Sequence, residues 1–269
     1  MKSNIIRVDV NCGLANRIRV VDCFLDLAHR HDRQIILYWH RDYSLYCAFE
    51  DLFEIPGRVV KIVSYDLLHS RLHRYLRRFQ LRVLGMLYSK VYRQCDIEKL
   101  AAEQRYECIL NDRNPYIDTV TRLYIPERPY SHLTPIKELR EKIDAFSAQF
   151  DKNVIGIHIR RGDNYQSINV SSLDLFIARI NDEIARNGKV SFFLATDDRA
   201  VEKELVDLFS GRIFVREKIS LERSDPKGLQ DALIDLYCLA RTQKILGSFH
   251  SSFSEEAALL GMIPLEIVQ

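Results

Sequence analysis

The stretch HIRRGD, residues 158–163, follows the apolar run VIGI at 154–157 and closes it with a histidine, two arginines, a glycine and an aspartate. Arginine is rarely buried without a partner, so three occupations compete: a bound anion, an internal carboxylate, or a surface Arg-Gly-Asp loop of the cell-adhesion kind. In an extended strand alternate side chains share a face. His158 and Arg160 are therefore expected on one side, with Ile157, Ile159 and Arg161 on the other. Arg160, at the carboxyl end of a strand, suits bidentate contact with phosphate. Arg161 is expected to pair internally, with Asp163 or an acid of the 197–198 turn, and Gly162 permits the sharp exit. The adhesion reading is the poorest, since three residues recur by chance and MKSNIIRVDVNCG reads into a strand rather than a secretion signal.

Three further groups carry comparable chemistry. The run SFFLAT ends in ATDD at 195–198, where Asp197 and Asp198 can accept from a sugar hydroxyl, orient Arg160 or Arg161, or act as a base; they are equally an N-cap pair. Asp235 falls inside an apolar pattern, and a carboxylate there needs donors, which a ligand's N–H groups could supply. The run KILGSF leads through Ser251 and Ser252 into a helix whose first N–H groups form a ready anion site. Ser252 with Glu255 also fits a capping box. Near the N-terminus, NCGLANRIRV places Gly13 and Asn16 in a strand-to-helix loop, with Arg17 and Arg19 adding positive charge. There is no G-x-G-x-x-G and no G-x-x-x-x-G-K-[ST], which removes the main support for dinucleotide and P-loop chemistry.

The elements that position these groups are strands alternating with helices. Strands are expected at 154–159, 191–196, 212–215, 244–249 and 264–268, with helices near 172–187, 199–209, 228–242 and 252–261. This pattern implies a parallel sheet covered on both faces, a Rossmann-like domain. The first half opens the same way, with strands at 5–10, 34–39 and 59–65 and a helix over 14–31, and a helix near 136–150 joins the halves. The expected fold class is α/β, with two Rossmann-like domains, residues 1–135 and 136–269, facing a central cleft. Between them, residues 67–93 hold seven Lys/Arg and no Asp/Glu with leucines at helical spacing, a basic amphipathic helix or helix pair. It packs on the core with a solvated basic face, or it attaches to a membrane surface or an anionic or lipid-linked acceptor.

The 269 residues, 47% hydrophobic and 28% charged with a net charge of +2, read as an ordinary soluble globular chain. That balance names no partner, and no recognised module points to nucleic acid. Six scattered cysteines without C-x-x-C pairing point to reduced thiols and a cytoplasmic setting rather than to disulfides or zinc.

Taken in order, GLANRIR, HIRRGD, ATDD, and DLYCLA followed by SFHSSFSEEAALLG resemble the fucosyltransferase superfamily, which covers α1,2-, α1,6- and protein O-fucosyltransferases and the nodulation fucosyltransferases. The resemblance spans residues 150–262 and the N-terminal stretch, with HIRRGD its most specific element; residues 60–130 match nothing in it. It implies a two-domain GT-B-like architecture and inverting transfer of fucose from GDP-fucose to a glycan, with no metal and no cofactor beyond the donor. Carried over, Arg160 would contact the diphosphate, His158 and Asp235 the guanine or ribose, and Ser251 and Ser252 phosphate oxygens. Asp198 would support the donor site, and Asn16 would approach it from the other domain. Where some relatives carry a basic glutamate, this chain has Ile168, so the base stays open among Asp9, Asp163 and Asp197. Catalytic roles are thus expected for Arg160, Asp163 and Asp198. Two alternatives keep the fold: an enzyme using another nucleotide sugar, and a catalytically silent adaptor.

Overall fold

The structure, a computed structural model, describes residues 4–66, 88–162 and 165–269 of the chain. They form two compact units: Met1–Ile136 with Glu222–Leu229, and Lys137–Leu221 with Gln230–Gln269.

The first unit is a parallel sheet of five strands in the order β3-β2-β1-β5-β4. Its strands are β1 (Ile5–Val10), β2 (Gln34–Trp39), β3 (Val59–Val63), β4 (Lys90–Arg93) and β5 (Pro115–Thr119). Ile6, Val8 and Val10 alternate along β1 and are each at most 2% exposed. Helix α1 (Leu14–Arg30) buries Ile18, Val21, Leu25 and Ala28, the spacing of one helical face. Helices α2 (Gln94–Ala102) and α3 (Glu107–Asn111) precede β5.

Of the stretch 67–93, expected to be a basic helix, residues 67–87 lie outside the described residues. Its end is not helical, because Lys90–Arg93 pair with β5 as an edge strand. Val91 and Tyr92 are strand formers. Tyr92 is buried, and its hydroxyl donates to Asp112 at 3.1 Å.

The second unit opens with α4 (Lys137–Ser147) and holds a parallel sheet in the order β10-β9-β6-β7-β8. Its strands are β6 (Val154–Ile159), β7 (Ser191–Thr196), β8 (Ile213–Phe214), β9 (Ile245–Ser248) and β10 (Leu265–Val268), separated by α5 (Tyr165–Val170), α6 (Leu173–Arg186), α7 (Arg199–Leu208), α8 (Pro226–Leu239) and α9 (Ser252–Gly261). All six residues of β6 are buried, as a central strand covered on both faces requires. Gly156 is needed there: a β-carbon would lie 2.8 Å from Thr242 Oγ1 and 2.9 Å from Leu239 Cδ2. Pro226 opens α8, where its missing N–H costs nothing, and Asp225 accepts from Lys227 N at 2.9 Å.

Each sheet runs outward in one direction and then restarts on the other side of its first strand. The strand order reverses between β6 and β9 in the second unit, and between β1 and β5 in the first. Ligands of open parallel sheets bind beyond the carboxyl ends of the strands at such a reversal. The expected α/β class with parallel sheets is what the structure has.

Candidate active site

His158, Arg160, Ser251 and Ser252 fall at the reversal of the second unit. Arg160 N donates to Ser248 Oγ at 3.0 Å, and Ser248 Oγ donates to the His158 carbonyl at 3.3 Å, which ties the end of β6 to the end of β9. Ser171 adds a second tie: its hydroxyl donates to Val268 O at 2.5 Å and accepts from Phe249 N at 2.8 Å. These two serines were not anticipated. Ser171 lies in the loop before α6, outside any motif, and only the sheet order brings it here.

The arginines divide their work differently from the expectation. The Arg160 guanidinium, not that of Arg161, ion-pairs with Asp197 at the end of β7. Asp197 Oδ1 also accepts the backbone N–H of Arg161 at 2.7 Å and of Gly162 at 3.3 Å. Arg161 instead sends its Nη1 to the Ser171 carbonyl at 2.9 Å. Its Nη2, shut off from solvent, has no partner among the described residues. Burial lowers the Arg161 pKa, and the charges of Asp197 and Asp198 oppose that shift. The strand alternation behind the expectation stops at Ile159, so the side chains of residues 160 and 161 follow the loop rather than the pleat. Asp163 lies outside the described residues.

His158 is 6% exposed. Burial, aided by the Arg160 charge, drives its pKa down to about 3, so the imidazole is neutral at ordinary pH. Its ring stacks on Phe253 with centroids 4.7 Å apart, and Nδ1 lies 3.4 Å from Ser251 Oγ. Ser252 does not cap the helix as the Ser252/Glu255 spacing suggested, because it is the first helical residue. The N-cap is Ser251, whose hydroxyl is turned to His158 and makes no capping bond. Asp198 does cap, accepting from Ala200 N at 2.8 Å and Val201 N at 3.2 Å at the start of α7.

Asp235 is 4% exposed, and the donors it needs are supplied within the unit. Arg216 Nε donates to its Oδ1 at 3.0 Å, and Lys218 Nζ lies 3.7 Å from Oδ2. Burial raises the Asp235 pKa, while Lys218 and then Arg216 pull it back. Arg216 also donates to the Asp231 carboxylate at 2.8 Å, and Lys218 to Glu202 at 2.6 Å. The loop after β8 is thereby pinned to α7 and α8. No sequence motif marks Arg216 or Lys218; they are visible only once β8 and α8 are side by side.

In the first unit, the carboxamide oxygen of Asn16 accepts from Arg19. Arg17, expected to add charge to the loop, is 0% exposed and donates to Cys12 O at 2.8 Å, to the His40 carbonyl and to Asp42 at 2.9 Å. Asp9 lies under Tyr116, whose hydroxyl donates to it at 2.6 Å. Burial and that carboxylate push the Tyr116 pKa far upward. Among the described residues no group of three or more His, Cys, Asp or Glu side chains could hold a metal ion, and no helix is long and apolar enough to cross a membrane.

No protein-family model and no curated protein matches the chain. Solved structures do. A NodZ alpha-1,6-fucosyltransferase co-crystallised with GDP is 19% identical at a TM-score of 0.64, covering 97% of this chain and 93% of that one. NodZ from Bradyrhizobium is 18% identical at 0.62, covering 97% and 94%. A variant of Arabidopsis thaliana FUT1 in complex with GDP is 14% identical at 0.60, covering 99% and 70%. POFUT1 in its apo form is 14% identical at 0.56, covering 100% and 99%. The chain has the α/β fold of these fucosyltransferases, over nearly its whole length.

Proposed function

We propose that the protein is a glycosyltransferase that moves fucose from GDP-fucose to a glycan hydroxyl, with inversion and without a bound metal. The observation that carries this reading is the convergence of Arg160, His158 and the uncapped start of α9 at the strand reversal of the second unit. A guanidinium held by Asp197, beside helix N–H groups without a side-chain cap, is a preorganised receptor for a diphosphate. Structures with this fold include NodZ soaked with GDP-fucose and POFUT1 in complex with GDP-fucose.

In the reaction, the bond between sugar C1 and the β-phosphate oxygen breaks as the acceptor oxygen bonds to C1 from the opposite face. Charge grows on the departing diphosphate. Arg160 and the Ser252 end of α9 would stabilise it, with Ser251 and Ser252 as hydroxyl partners and neutral His158 beside them. Asp198 supports the donor site through α7. Asp197 is committed to Arg160, and Asp9 is covered by Tyr116. Asp163 is the candidate to take the acceptor proton.

A second reading has its own support. Asp235, the residue that would read guanine, is already paired with Arg216 and Lys218, which favours the same fold acting on another nucleotide sugar. Thermal shifts with GDP, UDP, ADP and CMP separate the two, because a bound nucleotide stabilises by mass action. GDP should give the largest rise. A larger rise with UDP would transfer the proposal to the second reading.

A further inference from the structure

We infer that the first unit carries a rigid sugar-binding platform, with Tyr43 and Tyr65 as stacking faces and the Arg41–Asp66 pair as partner for ring hydroxyls. The inference rests on the glycosyltransferase reading for its occupant, a neutral oligosaccharide acceptor, and on the following geometry for its place.

The chain after β2 folds into a two-residue turn. Asp42 N donates to Leu45 O at 3.0 Å and Leu45 N donates to Asp42 O at 3.2 Å, with Tyr43 and Ser44 at the tip. Asp42 Oδ1 accepts from Ser44 N at 2.8 Å, Ser44 Oγ at 2.6 Å and Leu45 N at 3.1 Å. Its other oxygen meets the fully buried Arg17, whose guanidinium also lies 5.2 Å from the Trp39 ring. A buried cation and a saturated carboxylate thus immobilise a turn whose tip, Tyr43, is 83% exposed and contributes nothing to the core.

Tyr65 lies on the neighbouring strand end. Its carbonyl accepts from Arg41 N at 3.0 Å, and its N–H donates to His40 Nδ1 at 3.3 Å. Its ring stacks on the imidazole, with centroids 5.3 Å apart and planes at 21°, yet it stays 54% exposed. With Nδ1 accepting, a neutral His40 carries its proton on Nε2, which lies 3.9 Å from Asp9 Oδ1. Asp66 accepts from Tyr46 at 2.5 Å and lies 4.0 Å from the Arg41 guanidinium. Arg41 Nε is shut off from solvent with no hydrogen-bond partner among the described residues. The Arg41 side chain as a whole is 40% exposed, so its terminal nitrogens are the ones open to a ligand.

The chemistry fits a neutral sugar. A flat ring offers its face to the C–H side of a pyranose, while a guanidinium donates to one of two vicinal hydroxyls and the carboxylate beside it accepts from the other. The cation is offset by Asp66, which disfavours an anionic occupant. The turn is held before any ligand arrives, so little ordering entropy opposes binding. Tyrosine also serves protein contacts, and a polypeptide is the competing occupant.

The test uses the full chain and its Tyr65→Ala, Tyr65→Phe and Tyr43→Ala variants on a printed panel of neutral oligosaccharides, with thermal unfolding measured with and without GDP. The wild type should retain at least one oligosaccharide. Tyr65→Ala and Tyr43→Ala should each weaken it roughly tenfold, the loss of one stacked ring, and Tyr65→Phe should keep it. The Tm without ligand shows whether each variant is folded, and exposed Tyr43 tests the platform even if Tyr65→Ala unfolds. A wild type that responds to GDP but retains no sugar overturns the platform, as does sugar binding indifferent to both alanine variants. Tyrosine-dependent sugar binding without any GDP response leaves the platform standing and removes the donor reading.

Discussion

Arg160 and Asp197 form an ion pair across neighbouring strand ends, and the carboxylate that holds the guanidinium also gathers the backbone N–H groups of Arg161 and Gly162. One side chain therefore sets both the loop and the aim of its cation. Lysine at 160 could reach Asp197 but could not present a planar fork. Arg160→Lys should lower transfer by about 100-fold or more with Tm near wild type. Turnover close to wild type would remove Arg160 from the leaving-group site.

Asp197→Asn keeps an acceptor for the two backbone N–H groups and removes the charge that aims Arg160. About a tenfold fall in kcat/KM is expected, together with a stability loss of about 1–2 kcal/mol for a partly exposed charged pair. Urea titration and steady-state kinetics on the same preparation check both. Unchanged kinetics would show that Arg160 needs no orientation.

The buried, neutral His158 makes a prediction about acid. Its folded pKa of about 3 lies below its ordinary value of 6.5, so between those limits the unfolded chain binds the extra proton. Stability should therefore rise with pH through this window and level off above it, and this contribution is lost as pH falls toward 3. One such group gives a slope of about 1.4 kcal/mol per pH unit. His158→Asn should flatten the profile between pH 4 and 6; an identical slope in the variant would place the titration elsewhere.

Arg216 and Asp235 are both nearly buried, so removing one partner strands the other. Asp235→Asn or Arg216→Met alone should cost about 3–5 kcal/mol in urea unfolding, and the double variant less than the sum. Strict additivity would mean that the two do not act as a pair.

Gly261 ends α9 against the backbone of Ala240, where a β-carbon would come within 2.1 Å of the Ala240 carbonyl oxygen. Backbone cannot yield as a side-chain tip does. Gly261→Ala should cost about 1–3 kcal/mol and lower Tm, whereas Gly188→Ala, with open space around it, should not.

Much of the fold was legible because its strands are apolar runs of the right length. IIRVDV, QIILYW, VIGIHI and SFFLAT became strands over the residues anticipated, and α1 and α6 followed their periodic faces to within a residue or two. The failures share a cause. β4 and β5, KVYR and PYIDT, are short and mixed in polarity, so partners supplied by the sheet decide them rather than pattern. The candidate site was legible as far as HIRRGD, ATDD and the serines before α9 went. Which arginine takes Asp197, what turns Ser251 away from its helix, and what neutralises Asp235 depend on contacts between residues tens of positions apart, and spacing along the chain carries no trace of them.

The assignment of Glu222–Leu229 to the first unit means that the chain enters that unit twice. Tyr46 N donates to the Arg223 carbonyl at 2.9 Å within it, a bond between segments far apart along the chain. A fragment stopped at residue 136 would lack this returning strip, so the first 136 residues do not by themselves make a finished folding unit. Residues 1–136 expressed alone should need a peptide covering residues 222–229 supplied in trans, and a circular permutation would have to leave that second visit intact.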